Sequence, residues 1–495
     1  MNIMNWFKKK SSEQSDLEQK LSNSSDYKRI EFVNQKTNLR FQLAFISNLI
    51  DESILQKSVL PYLLEQAFQS LEDIVKIVPI SDIQISEDIS LVEQKIFNGY
   101  VLLTIESTNK TMAFIAAHKE LVRSITTPEI EFSVLGPKES FVESIGQNLN
   151  LIRKRIPIKE LIVEELQVGK LSKTKIAILH IDGITDKENV KTVKQRIGDL
   201  QFDMITDSSY LVQLISDNGN SPFPQLLDTE RPDRVAAILA EGKVAIVVDG
   251  SPQVLIAPTT LVEFFSSFED YFLNWIVASF FRLIRLFSVA FSILITPIYV
   301  ATLNYHYELI PRDLLITLVS SRQLIPLPPI LEALFLELTI ELLREAGARL
   351  PTKVGQTMGI VGGIVIGTAS VEAALTSNVL LIIVALSALA SFTTPVYKMS
   401  NTIRLLRFPF MIFAELWGLV GIVFCFCLLM THLLRLKSLG RPFLEPIYPP
   451  RMADIKDAFV RLSFSQLSTR PSYLRTEKPD RFNKQKAKKK KDIDE

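Results

Sequence analysis

The chain has 495 residues, 55 Lys and Arg against 54 Asp and Glu, a formal net charge of +1 and two cysteines. That length excludes one compact core, since cores stop growing near ~250–300 residues. The charge balance points to no polyanionic partner such as nucleic acid, and two cysteines build no disulfide framework. The balance conceals segregation. Residues before 270 read as ordinary soluble protein, whereas from about Val289 to Leu434 the chain is dominated by Ile, Leu, Val, Ala, Phe and Gly. Apolar runs there approach the ~20 residues that a bilayer requires. The N-terminus Met1-Asn2-Ile3-Met4-Asn5-Trp6-Phe7-Lys8-Lys9-Lys10 has no apolar stretch of signal-peptide length. The expectation is an integral membrane protein with a cytoplasmic N-terminal head.

In chain order, residues 1–30 are polar and predict a disordered leader. Apolar spacing from about Asn38 to Ser70 predicts a helix broken at Pro61. Gly99–Glu106 and Thr111–Ala117 predict a β-hairpin across Ser107-Thr108-Asn109-Lys110. Phe141, Ile145, Leu149 and Ile152 return at helical spacing until Pro157. Residues 31–150 thus read as a first small α/β subdomain and 151–270 as a second. In the second, Lys175–Ile181 is a buried-type strand, Lys187–Leu200 a helix, Thr229-Glu230-Arg231-Pro232 a helix start and Val244–Gly250 a further strand. Strand–helix alternation of this kind predicts a mixed or parallel sheet covered by helices.

Glu263–Trp275 is aromatic and acidic, the composition of a membrane–water interface. Arg282 and Arg285 follow on one side of the next helix. The helical membrane domain, 271–435, carries four strong spans: Leu286–Leu303, Gly355–Ala374, Val379–Tyr397 and Phe410–Leu433. Between the first two, Pro326-Leu327-Pro328-Pro329 launches an apolar helix, Ile330–Leu350, bearing Glu332, Glu337, Glu341, Arg344, Glu345 and Arg349. Glu337, Glu341 and Glu345 share a face, and Glu341 with Arg344 and Glu345 with Arg349 stand at pairing distance. Bare carboxylates at bilayer depth are costly, so this helix faces protein, water or headgroups. The acids form either a cation site or a salt-bridge ladder. If the helix spans, the positive-inside rule holds for Lys398, Arg404 and Arg407 but fails for Arg435, Lys437 and Arg441; if it lies flat, the reverse holds. A further partly inserted segment would reconcile the two.

Gly355, Gly359, Gly363 and Gly367 recur every fourth residue in an apolar run. In lipid this spacing suits close helix packing. Gly359-Ile360-Val361-Gly362-Gly363 is no phosphate loop, lacking the Lys-Ser/Thr pair and a preceding strand. Pro297, Pro395 and Pro409 read as hinges or helix breaks. Cys425 and Cys427 point to different sides of a helix and read as packing residues. His118, His180, His306 and His432 are scattered without ligand or nucleophile spacing. No residue set reads as catalytic, cofactor-binding or metal-ligating, so the chain is not expected to be an enzyme. Residues 436–495 form a polar C-terminal region: a proline-stiffened connector from Gly440 to Pro450, then a basic tail, Lys484–Lys491, suited to anionic lipid.

Several long motifs resemble the A subunit of the bacterial spore germinant receptors, the GerA family. They are Gly136-Pro137-Lys138-Glu139-Ser140-Phe141-Val142-Glu143 with Asn150-Leu151-Ile152-Arg153-Lys154-Arg155, Thr229-Glu230-Arg231-Pro232-Asp233, and Ser267-Phe268-Glu269-Asp270-Tyr271. Ile310-Pro311, Ser321-Arg322, Glu341–Pro351 and the glycine ladder add to them. Members often carry Arg before the Gly-Pro, where this chain has Leu135. The resemblance spans about 30–450. It implies a multi-pass subunit of the inner membrane of the dormant spore, acting with a transporter-like B subunit that senses the nutrient and a C-subunit lipoprotein. It also implies self-association into rings around a nutrient-gated path for monovalent cations. On that basis Val361 and Val365, with Gly359 and Gly363, are candidates for a hydrophobic gate, and Glu332, Glu337 and Glu341 for a cation-attracting ring. A scaffold that merely couples the other subunits, or a germination-amplifying paralogue without its own sensor, is the alternative.

Overall fold

A computed structural model describes residues 19–88, 90–105, 111–118, 128, 131 and 135–482. Most of the expected leader, the hairpin loop at 107–110 and the basic tail lie outside the described residues.

The first unit contains β1 (Tyr27–Val33), β2 (Arg40–Ile46), a helical run α1 (52–65), α2 (Leu71–Ile77), β3 (Ile83–Ser86), α3 (Ser90–Phe97), β4 (Tyr100–Ile105) and β5 (Met112–Ala116). The sheet runs β1-β2-β4-β5-β3, antiparallel throughout. Leu55, Val59 and Leu63 of α1 pack with α2 on the face carrying Phe41, Leu43 and Phe45. Val92 and Ile96 of α3 cover the opposite face. The expected β4–β5 hairpin is present, with Tyr100 opposite Ala116. Three expectations are corrected. Ordered chain reaches back into the supposed leader, because Asp26 is buried and β1 begins at Tyr27. The first part of the supposed 38–70 helix is β2, since Phe41, Leu43 and Phe45 alternate onto one face with period two. Nor does Pro61 break the helix: a π turn at Leu55–Val59 precedes Leu60–Glu65 and seats the proline in its first turn, where its missing N–H costs little.

The second unit contains α4 (Ile145–Arg155), β6 (Leu161–Val168), β7 (Thr174–Ile181), α5 (Lys187–Gly198), α6 (Ser208–Ile215), β8 (Leu227–Thr229), α7 (Pro232–Glu241), β9 (Val244–Val248) and β10 (Val254–Ala257). Its order is β6-β7-β9-β10-β8. The mixed or parallel sheet is overturned, for every pairing is antiparallel. The reason lies in the connections: β6–β7 and β9–β10 are hairpins, while the helical segment after β7 leads to the edge strand β8 rather than to a parallel neighbour. α5 and α6 cover one face and α4 and α7 the other. Since Leu149 and Ile152 of α4 belong to this second core, the seam between units lies before α4, not after residue 150.

The bundle contains α8 (Trp275–Tyr305), α9 (Arg312–Arg322), α10 (Pro329–Arg349), α11 (Thr352–Glu372), α12 (Asn378–Ser391) and α13 (Tyr397–Arg435). Among the described residues two helices, α8 and α13, are long and apolar enough to cross a membrane. Pro297 and Pro409 lie inside these helices and break neither, and the span expected at Val379–Tyr397 already ends at Ser391. The break in α13 falls instead at Trp417 and Gly418, the latter at φ +61° and ψ −139°. There the helix folds back on itself. Phe413 and Phe424 have ring centroids 5.6 Å apart, whereas eleven residues of straight helix would separate them by about 16 Å. Ile403 shares a cluster with Leu433 and Leu436. The fold-back tip meets the far end of α8, where a Cβ on Gly418 would stand 3.0 Å from Tyr305 Cβ and His306 Nε2.

The other helices alternate in direction between these two ends. Glu332 near the start of α10 bonds Arg322 of α9 and the Ser377 amide before α12, while Glu341 later in α10 faces Arg404 near the base of α13. α11 returns along α10, with Gly355 against Gly347 and Gly362 against Leu343. α12 then descends from Ser377, beside Tyr299, to Ser391, whose carbonyl accepts from Ser400.

The region after α13 is not a free connector. Leu439 enters the core of the second unit, and Phe443 packs on Phe223 and Phe264. Ser438 Oγ donates to the Gln225 carbonyl at 2.6 Å. Further on, α14 (Met452–Phe459) leads to Tyr473, which donates to Glu263 at 2.6 Å. Residues 436–482 form a strap that returns the chain to the soluble side.

Candidate functional site

Three sequence motifs, far apart in the chain, converge where the second unit meets α8. Gly136 adopts φ +98°, a conformation that glycine alone takes without strain, and a Cβ there would lie 2.7 Å from the Phe272 ring. Next to it the Pro137 carbonyl accepts from Arg231 Nη2 at 3.4 Å. Arg231 also donates to Asp233 from Nε at 3.1 Å and Nη2 at 2.7 Å. Its guanidinium lies 5.5 Å from the Phe268 ring centroid and 5.9 Å from that of Phe272, which is cation–π range. Position 135, where the family often has Arg, contributes only its backbone: the Leu135 amide donates to Glu269 at 3.1 Å.

The aromatic–acidic stretch is folded into this junction as two 3-10 turns, Leu261–Phe265 and Phe268–Tyr271, at the base of α8. Buried Asp270 accepts from both Arg282 and Arg285 of α8. Arg282 Nη1 donates to the Asp457 carbonyl of the strap, and Arg461 stacks between Tyr271 and Phe464, 4.2 and 4.8 Å from their centroids. The linker turn and the strap are thus both tied to the base of α8 by buried arginines.

A second polar cluster lies inside the bundle. Arg407 of α13 is almost fully buried. It pairs with Glu337 of α10 and donates from Nε to the Ser292 carbonyl at 2.9 Å and from Nη2 to Ser292 Oγ at 2.8 Å. Thr296 donates to Glu337 at 3.1 Å. Glu332 pairs with Arg322 at 2.8 Å, and Glu341 with Arg344 at 3.3 Å and Arg404 at 3.7 Å. Glu345 and Arg349 pair at 2.5 Å on the exposed end. Each acid expected on the face of α10 thus has an arginine partner. Arg322 and Arg407 supply two of those partners from other helices, which no local spacing in the sequence signals.

The glycine ladder divides. Gly355 packs on Gly347, a Cβ on Gly367 would lie 3.8 Å from Leu381, and Gly363 faces open space. Gly362, not in the expected set, supplies the close approach to Leu343. Val365 is exposed beside Ile360 and Ile364. Gly359 and Val361 lie on the α11 backbone, with their side-chain positions outside the described set.

The histidines are not gathered. His306 Nε2 accepts from the Leu419 amide, His432 bonds Ser221, and His118 closes an isolated bridge to Ile50. Burial, aided by Lys194, holds the His180 imidazole below its ordinary value, with Glu164 and Asp182 pulling the other way. A histidine kept neutral by the fold contributes stability above its unfolded value, about 6.5, and loses it as pH falls through the lowered folded value. Melting of the chain should therefore drop on acidification below about pH 6.5, and His180→Gln should flatten that dependence; an unchanged slope would exclude His180 as its source.

Two antiparallel α/β units are joined through a short linker and buried ion pairs to an apolar helical bundle with a polar core. The chain belongs to the Bacillus/Clostridium GerA spore germination protein family, whose model matches residues 15–473. It is 51% identical over 476 residues to spore germination protein GerQA of Bacillus cereus, covering 96% of this chain and 95% of that one. To spore germination protein GerIA of the same organism it is 48% identical, covering 92% and 68%. The crystal structure of the N-terminal domain of the A subunit of the Bacillus megaterium spore germinant receptor GerK3 matches at 27% identity and a TM-score of 0.38, over 49% of this chain and 92% of that one.

Proposed function

We propose that the chain is a multi-pass A-type subunit of a nutrient germinant receptor in the inner membrane of the dormant spore, working with a transporter-like B subunit and a C-type lipoprotein. The observation that carries this reading is the rigid junction between the soluble units and α8. Its topology follows from the folded-back α13. With α8, α10, α11, α12 and the two halves of α13 crossing in turn, the N-terminal units and the strap share the cytoplasmic side. Arg282, Arg285, Lys398, Arg404, Arg435 and Lys437 then collect at that end, as the positive-inside rule asks. Counting α13 twice supports this arrangement against the parity conflict read from the sequence.

The pairing of Glu332, Glu337 and Glu341 with arginines favours a structural ladder over a cation-attracting ring. The surface that supports self-association and a gated cation path is instead the open face of α11, with Ile360, Gly363, Ile364 and Val365 unpartnered within one chain. A narrow lumen lined by such a face closes by dewetting. The same ladder favours, as a second reading, a non-conducting coupling subunit.

Spores carrying Gly363→Leu or Val365→Ser, with receptor amounts checked by immunoblot, distinguish the two. A conducting subunit should show altered monovalent cation release with and without nutrient at normal protein levels. Wild-type release from both well-expressed variants would remove α11 from the conduction path and leave the coupling reading.

A further inference from the structure

A cavity of about 560 Å³ lies beneath the motif junction, enclosed jointly by the second unit, the base of α8 and the strap. Its volume falls within the range of small-molecule sites, roughly 300–1,000 Å³. Ile238, Phe268, Tyr271, Leu462 and Phe464 contribute apolar wall, so the space is suited to a hydrocarbon or aromatic body rather than to a sugar.

Most charges in that wall are already matched. Lys243 pairs with Glu263, Arg234 with Glu131, and Arg481 Nη2 with Glu241 at 3.1 Å. Among the buried side-chain nitrogens and oxygens of the described wall, those without a hydrogen-bond partner are both guanidinium nitrogens. Arg282, about 2% exposed, has no hydrogen-bond partner at Nη2, and Arg481 has none at Nε, among the described residues. Neither has an unmatched acid beside it in the wall. A buried donor left unpaired costs about 1–3 kcal/mol, more when charged, and an anionic oxygen is the strongest partner for a guanidinium nitrogen.

We propose that this cavity binds a small amphiphilic anion, a carboxylate or phosphate on an apolar body, with its head at Arg282 and its body against the aromatic wall. Because the strap supplies Leu462, Phe464 and Arg481, the bound molecule clamps residues 436–482 to the second unit at the root of α8. The same chemistry comes from two sources: the head of an acidic lipid at the membrane surface, or a soluble organic acid. The inference rests on the cavity alone and stands or falls independently of whether the bundle conducts ions.

The test uses the purified full-length chain in uncharged detergent, titrated calorimetrically with phenylbutyrate, phenylbutanol and phenylbutylammonium. Saturable binding of the carboxylate, at least about tenfold tighter than either isostere, is the expected result, as a charge-assisted hydrogen bond is worth about that factor. Ala237→Phe, which puts a ring into the cavity while leaving Arg282 and Arg481 in place, should abolish binding with the circular dichroism spectrum unchanged, and Arg282→Gln should remove the preference for the anion. Equal affinity for the three compounds, the lack of saturable binding, or full binding by a folded Ala237→Phe chain would each overturn the proposal. Repeating the titration in phosphatidylcholine nanodiscs with and without phosphatidylglycerol identifies the source. Competition by phosphatidylglycerol assigns the site to lipid, and its failure to compete assigns the site to a soluble acid.

Discussion

Replacing Arg407 with leucine should cost the bundle roughly 3–5 kcal/mol, because it strands the Glu337 carboxylate in an apolar interior. Both side chains are about 2% exposed, and the guanidinium also satisfies the Ser292 carbonyl and hydroxyl. The informative comparison is the double variant Glu337→Leu/Arg407→Leu. Removing both charges replaces a buried pair by hydrocarbon, which is frequently neutral, so the double variant should melt well above the single one in detergent. Were the double variant no more stable than Arg407→Leu alone, the pair would not be the source of the loss, and the Ser292 contacts would be. Germination by spores carrying a stable double variant would show that the pair holds the bundle together without taking part in signalling.

The second large effect is expected at the seam between the soluble units. Arg153 of α4 donates to Asp26 from Nε at 3.0 Å and Nη2 at 2.9 Å, and to Ser24 at 2.9 Å. Both members of the pair are essentially inaccessible, at 1% and 0%. Ser24 in turn accepts from the Val163 amide at 3.0 Å, tying β6 into the same network. Arg153→Ala leaves Asp26 buried without its cation, at a cost of roughly 3–5 kcal/mol. Arg153→Lys should recover only part, since an ammonium cannot reproduce a two-nitrogen fork on one carboxylate. Limited proteolysis reads this directly: the first unit should become sensitive near residue 26 in Arg153→Ala while the core of the second unit stays protected. Simultaneous digestion of both units would mean that they unfold as one.

Local pattern made some elements plain and left others hidden, for identifiable reasons. β7 and β9 were legible because Ile176–Leu179 and Val244–Val248 are continuous apolar runs of strand length, and α7 because Pro232 opens it and Gly242 closes it in a left-handed conformation. β2 was misread because its alternating Phe41, Leu43 and Phe45 adjoin a genuine helix, and one wide window merged them. Sheet direction was misjudged because alternation of strands and helices says nothing about which strand a helix leads to. The fold-back in α13 was hidden because hydropathy is unbroken across Trp417 and Gly418; only φ, ψ and the Phe413–Phe424 contact reveal it. The acids of α10 were visible as candidates, but their partners Arg322 and Arg407 lie 10 and 70 residues away, beyond any helical spacing rule. The motifs at 136–137, 229–233 and 267–271 were legible as strings, yet their meeting point is a property of the fold alone.

The strap has a consequence for how the chain comes into being. Leu439 is part of the core of the second unit, and Phe443 of the cluster joining that unit to α13. Both are synthesised after α8 to α13. During translation the second unit is therefore incomplete, its seam uncovered, until α8 to α13 and the residues that follow them have left the ribosome. Truncation after α13 should accordingly leave the second unit open to chaperones and proteases, although its own sheet and helices are all encoded before Trp275.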